Sequence, residues 1–163
     1  MQVYGDNGTA AQKFRAEQVG TVPYLAGQYT IKSSVGTDMY LNVEGGASGN
    51  FTNIDIRTKD GSAAQSFRLA YGPDGMYRIL TSCGSAADVY NAGAKWGTNV
   101  SQYNANYTPA QNWHIEGNAD GTVCFRSECN NLYMDVNDAE TKEGNNVQVW
   151  RGNGTIAQKW TLM

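Results

Sequence analysis

The chain has 163 residues, enough for one well-buried core and too few for two ordinary domains. Only 17% of its residues are charged, the net charge is -3, and the 12 Lys and Arg are scattered singly, so no nucleic-acid surface is expected. No apolar run approaches the roughly 20 residues that span a bilayer, so membrane insertion is not expected either.

The opening Met1-Gln2-Val3-Tyr4-Gly5-Asp6 lacks the cationic and apolar segments of a signal peptide. Residues 1–17 instead repeat the end of the chain. Gln2 to Phe14 aligns with Gln148 to Trp160 without a gap, and eight of thirteen positions are identical. The chain thus opens on the second half of a repeat whose first half is missing: the tail of a preceding domain, or a segment that competes for the same place. Residues 18–26, around Val22-Pro23-Tyr24, read as a linker.

A motif of Ala, Gln, any residue and an aromatic ends each unit: Ala11-Gln12-Lys13-Phe14, Ala64-Gln65-Ser66-Phe67, Ala110-Gln111-Asn112-Trp113 and Ala157-Gln158-Lys159-Trp160. The last three Gln are 46 and 47 residues apart, whereas Gln12 and Gln65 are 53 apart. Recurrence at a fixed period marks a structural repeat. Three full units follow at 27–74, 75–120 and 121–163.

Each unit contains four short alternating runs separated by Gly, Asn, Asp or Ser, the pattern of strands and turns. The first run points Tyr29/Ile31, Tyr77/Ile79 and Val123/Phe125 to one face. The second buries Leu41/Val43, Ala87/Val89 and Met134/Val136 and turns Asn42, Asp88 and Asp135 out. The third buries Ile54/Ile56, Val100/Gln102 and Val147/Val149, leaving Asp55/Arg57, Ser101/Tyr103 and Gln148/Trp150 outward. The fourth buries Phe67/Leu69, Trp113/Ile115 and Trp160/Leu162. No segment sustains a 3.6-residue period, so little helix is expected. Three units of four strands predict an all-β fold, a twelve-stranded β-trefoil in which threefold closure removes sheet edges and the repeated aromatics share one core.

On these three in-register motifs, each preceded by a strand such as Tyr133-Met134-Asp135-Val136, the chain resembles the ricin B-type β-trefoil lectins and carbohydrate-binding modules. The resemblance implies shallow sugar sites in which an acid accepts hydroxyl protons and an aromatic stacks on the sugar's C–H face. In the third unit it points to Asp135, Gln148 and Trp150, with Asn153 and Asn137 in adjacent turns. In the second it points to a weaker set: Asp88, Tyr103, Asn106 and Ser101. The first unit offers Asn42, Asp55 and Arg57 without an aromatic, and is expected to bind poorly. The repeated Gln and aromatics are expected to build core and turns. The implied partners are glycans, of galactose type or from plant or mucin polysaccharides, met outside the cell or at its surface as part of a larger protein. Galactose-binding members often carry Asn before the motif Gln, where this chain has Ala, and the family's Cys pair is absent.

Catalysis is not expected. Asp135-Val136-Asn137-Asp138 lacks the Gly and Glu of a calcium loop. A single histidine, His114, and no Cys-x-x-Cys do not assemble a zinc site, and there is no phosphate loop or nucleophile elbow. The alternative to a lectin is a protein-interaction or structural trefoil with decayed sites. Cys124 and Cys129 are near enough in sequence to close a small loop. The likeness of the two chain ends predicts segment swapping through residues 1–17.

Overall fold

The computed structural model describes residues 24–163. The half-repeat at 1–17, most of the linker and the swap expected of them lie outside the described residues. In the first unit the alternating runs form β1 (Gly27–Tyr29), β2 (Ile31–Ser33), β3 (Met39–Val43), β4 (Ile54–Thr58) and β5 (Phe67–Tyr71). The second holds β6 (Tyr77–Thr81), β7 (Ala86–Val89), β8 (Thr98–Tyr103) and β9 (Trp113–Gly117). The third holds β10 (Val123–Ser127), β11 (Tyr133–Val136), β12 (Asn145–Trp150) and β13 (Trp160–Leu162).

Among the described residues thirteen strands stand where twelve were expected, because the first run is interrupted at Thr30. Its partner changes there. β1 pairs with β5 of its own unit, β2 with β13 of the last, and Thr30 and Met163 exchange two backbone hydrogen bonds of 3.0 Å. Helical geometry among the described residues is confined to three-residue 3-10 turns.

The last strand of each unit is antiparallel to the first of the next, as β5–β6, β9–β10 and β13–β2. Within each unit the first and last strands also meet, as β1–β5, β6–β9 and β10–β13. These contacts close a barrel. The remaining hairpins, β3–β4, β7–β8 and β11–β12, cap it and are joined through β12–β8, β12–β4 and the bridge from Asn53 to Ser101. The result is a β-trefoil without long free edges.

Phe67, Trp113 and Trp160 are fully buried in one cluster with Leu41, Ala87, Met134, Ile31, Ile79 and Phe125. An indole N–H needs an acceptor in a dry core. Trp113 and Trp160 donate to the carbonyls of Ala87 and Met134 at 3.3 and 3.4 Å. Those carbonyls belong to the strand that carries the acid of the same unit, so the core aromatic also locates the site strand. Cys83, Cys124 and Cys129 are free thiols.

Candidate functional site

The second and third strands of each unit place three residue pairs directly opposite one another: Asn42 with Asp55, Asp88 with Ser101, and Asp135 with Gln148. Alternation turns all six away from the core, as expected, but it does not expose them. Asp135 and Asp88 are only 4% and 8% accessible. The 3-10 turn after each second strand and the turn that carries the motif Gln wall them in. The sites are therefore clefts with a carboxylate at the floor, not flat faces.

In the third unit the cleft has a volume of about 290 Å³ and is lined by Asp135, Asn137, Asp138, Gln148, Trp150 and Asn153, among others. All five residues expected there are brought together. Asp135 Oδ1 accepts from Gln148 Nε2 at 3.2 Å, and Oδ2 accepts from Gln158 Nε2 at 3.0 Å. Gln158 also donates to the Arg151 carbonyl at 2.8 Å and accepts the Asn153 backbone N–H at 3.1 Å. The motif Gln thus reaches from the core to the site floor, a role beyond the core-and-turn part that its sequence context suggests. Asn153 Oδ1 accepts from the backbone and hydroxyl of Thr155, at 3.0 and 2.8 Å, which leaves its amide N–H₂ for a ligand.

The second unit holds a cleft of about 520 Å³ lined by Asp88, Tyr103, Asn106, Phe51, Asn91 and Cys129, among others. Gln111 Nε2 donates to Asp88 Oδ2 at 3.0 Å and to the Asn104 carbonyl at 3.0 Å. Ser101, opposite Asp88, is too short to repeat the role of Gln148, and its buried hydroxyl has no hydrogen-bond partner. Asp88 Oδ1 is therefore less engaged by protein than its counterpart in Asp135. Burial raises both carboxyls above the usual aspartate range, and the Gln amides offset this only in part.

In the first unit, acid and amide have exchanged strands. Asn42 Nδ2 donates to Asp55 Oδ1 at 2.7 Å, and Arg57 Nε binds Oδ2 at 3.0 Å. Each oxygen is already held by a neighbouring side chain. Gln65 keeps its turn contacts, to Thr58 and Asp60, but makes none to this carboxylate.

Two aromatics escaped the sequence reading because they come from the preceding unit. The loop of each unit lies on the third strand of the next. Phe51 N–H donates to the Gln102 carbonyl at 2.8 Å, Gly97 to Val149 at 2.9 Å and Gly144 to Ile56 at 2.9 Å. This brings Phe51 within 5.0 Å of Tyr103 and 5.4 Å of Tyr90, measured between ring centroids. Trp96 likewise reaches Trp150, at 5.7 Å, with the Arg151 guanidinium over its ring at 4.9 Å. In the first unit's place stands Glu143, which accepts the Thr58 N–H at 2.9 Å.

A carboxylate fixed by amide donors beside an accessible aromatic suits a ligand with hydroxyl donors and an apolar face. Among the described residues no group of three or more His, Cys, Asp or Glu gathers as for a metal ion.

The family described as ricin-type β-trefoil lectin domain-like matches the chain over residues 10–103, 75–150 and 109–163. No curated protein matches the sequence significantly. Among solved structures, the designed threefold-symmetric protein ThreeFoil is 28% identical with a TM-score of 0.80, over 83% of this chain and 97% of its own. An exo-β-1,3-galactanase from Clostridium thermocellum is 26% identical with a TM-score of 0.79, over 86% of this chain and 30% of its own. The agglutinin of Rhizoctonia solani shares the fold at 20% identity and a TM-score of 0.75, over 85% of this chain and 94% of its own.

Proposed function

The chain belongs to the ricin-type β-trefoil lectin domain-like family, and from that premise we propose that it binds carbohydrate without catalysis, through the clefts of its second and third units. One observation carries the reading. In both units a buried aspartate, held by the motif Gln, faces a cleft whose side is an aromatic ring. Asp135 or Asp88 would accept two sugar hydroxyls, Trp150 or Tyr103 would stack on the C–H face, and the Asn153 amide would donate to a ring substituent. Gln148 and Ser101 differ in length, so the two sites would differ in preference. The first unit is left out because the Arg57 guanidinium pairs with Asp55 and no aromatic lines the cleft there.

The galactanase covers this chain with only 30% of its length. That supports a module of a larger extracellular or surface protein, with galactose-type, plant and mucin glycans as the ligand classes to test. Each site alone would be weak, and two on one body gain through effective concentration. Isothermal titration against galactosides, xylan and mucin glycans tests the reading. Saturable binding to at least one class is expected, and silence against all of them sinks it. A blank glycan array with recovery of a defined protein partner would favour the interaction-module alternative.

A further inference from the structure

The loops joining second and third strands have one length in all three units: Val43 to Ile54, Val89 to Val100 and Val136 to Val147 are each 11 residues apart. Phe51 therefore stands where the other units have Gly97 and Gly144. All three adopt left-handed backbone, with φ of 66°, 83° and 74°. Glycine enters that region freely, whereas a bulky aromatic there is strained. Such strain persists only where the surroundings over-determine it, and it gathers at functional sites.

The surroundings here do so through a second departure from the repeat. The strand position on which the loop rests is Ile56 and Val149 in two units but Gln102 in the second. Gln102 is fully buried, and its Nε2 donates to the carbonyls of Ala47 and Gly49 at 2.6 and 3.0 Å. Its backbone makes two further bonds, accepting from the Phe51 N–H and donating to the Thr52 carbonyl. One residue thus clamps the loop at both ends of the segment that presents Phe51.

Core packing does not explain the aromatic, because Phe51 remains 53% exposed. Its ring lies between Tyr103 and Tyr90 and extends the wall of the cleft that holds Asp88. That cleft is the larger of the two, about 520 Å³ against about 290 Å³. Trp96 in the corresponding loop is capped by Arg151 instead, and it does not line the third unit's cleft.

We infer that Phe51 is a ligand-contacting residue of the second unit's site, and that this site binds an oligosaccharide of at least two sugars. One sugar is held at Asp88 against Tyr103, and the next lies on Phe51. The third unit, lacking this extension, takes a single terminal sugar. The inference rests on the carbohydrate reading and ranks the second site above the third, the reverse of what the residue types alone imply.

The test uses the full chain carrying Asp135→Asn, so that only the second site is read. Galactose, xylose, N-acetylglucosamine and their β-linked di- and trisaccharides are titrated before and after Phe51→Gly. Glycine is the residue of both sister loops, so the variant keeps the fold and its melting temperature holds or rises. Binding of the preferred di- or trisaccharide should weaken roughly tenfold, the scale of a lost stacking contact, with monosaccharide binding unchanged. Phe51→Tyr should retain it. If Phe51→Gly binds di- and trisaccharides like its parent, the inference falls while the carbohydrate reading stands. If the parent binds no sugar of the panel, although wild type binds, the second site is not a sugar site and the inference falls alone. If wild type binds none either, both fall.

Discussion

Asp88→Asn and Asp135→Asn are expected to remove binding at their respective sites while leaving the protein as stable as before, or more so. The geometry explains both halves. Gln158 cannot turn its amide, because Oε1 is held by the Asn153 N–H and Nε2 by the Arg151 carbonyl. In the Asp135→Asn variant the new amide must then present its oxygen to Gln158 and its NH₂ to Gln148, whose own amide can flip to accept it. No buried group is orphaned, and an ionised group whose burial is unfavourable is gone. For a ligand, however, an ionised acceptor has been replaced by a neutral amide. Each charge-assisted hydrogen bond lost costs about 1.5–3 kcal/mol, or roughly 10- to 150-fold in affinity. Titration of each single variant against a bound glycan checks the binding, and thermal melts check the fold.

The raised pKa values give the same residues a pH signature. Burial lifts the Asp88 and Asp135 carboxyls above the reference value of 3.8. They protonate earlier than free aspartate as pH falls, and their acceptor strength is lost with that protonation. Stability moves the other way. A folded-state pKa above the unfolded one means that the native state takes up more protons, so this contribution favours folding as pH drops through the raised value. Binding should therefore fade on acidification while these groups favour the fold, and both Asn variants should lose that part of the pH dependence.

Gln158→Ala should be costly to fold and site together. It orphans the Asn153 N–H, the Arg151 carbonyl and one Asp135 oxygen in a single step. Unsatisfied buried groups cost about 1–3 kcal/mol each. With some relief from water in the open cleft, a loss of about 3 kcal/mol or more is expected, against a typical total of about 5–15 kcal/mol. In a domain of this size that is a fall of roughly 6–12 °C in melting temperature. Gln65→Ala should cost less, since Gln65 makes the turn contacts but none to a carboxylate. Equal losses from the two substitutions would show that the Asp135 contact contributes nothing.

The barrel was legible in the sequence because its physics is periodic. Alternating apolar residues and three buried aromatics at matched positions report themselves in any aligned repeat. Asp88 and Asp135 were legible as residue types, but their burial was not, since it depends on turns that fold over them. The bond from Gln158 to Asp135 joins residues 23 positions apart through a strand-to-turn contact that no local pattern encodes. Asn42 and Asp55, expected to bind poorly for want of an aromatic, also hydrogen-bond to one another, which their residue types do not reveal. Phe51 and Trp96 are hidden for another reason: the repeat presents each unit as self-contained, whereas these two rings contact aromatics of the following unit. An ungapped comparison of the three loops contains the signal, since an aromatic stands where both sisters keep glycine.

The handing of the first unit's loop to the second makes the seam between those two units the place where a ligand of the second site would sit, whereas the third unit's cleft is lined by its own residues. Phe51 and Asp88 lie on opposite sides of the turn between β5 and β6. If the backbone were severed in that turn, neither piece would own the second site, and an occupant would have to bridge the break. A sugar there would behave as a clasp, drawing the two fragments together in proportion to its concentration. The trefoil's threefold assembly and its ligand chemistry would then report on one another through the same joint.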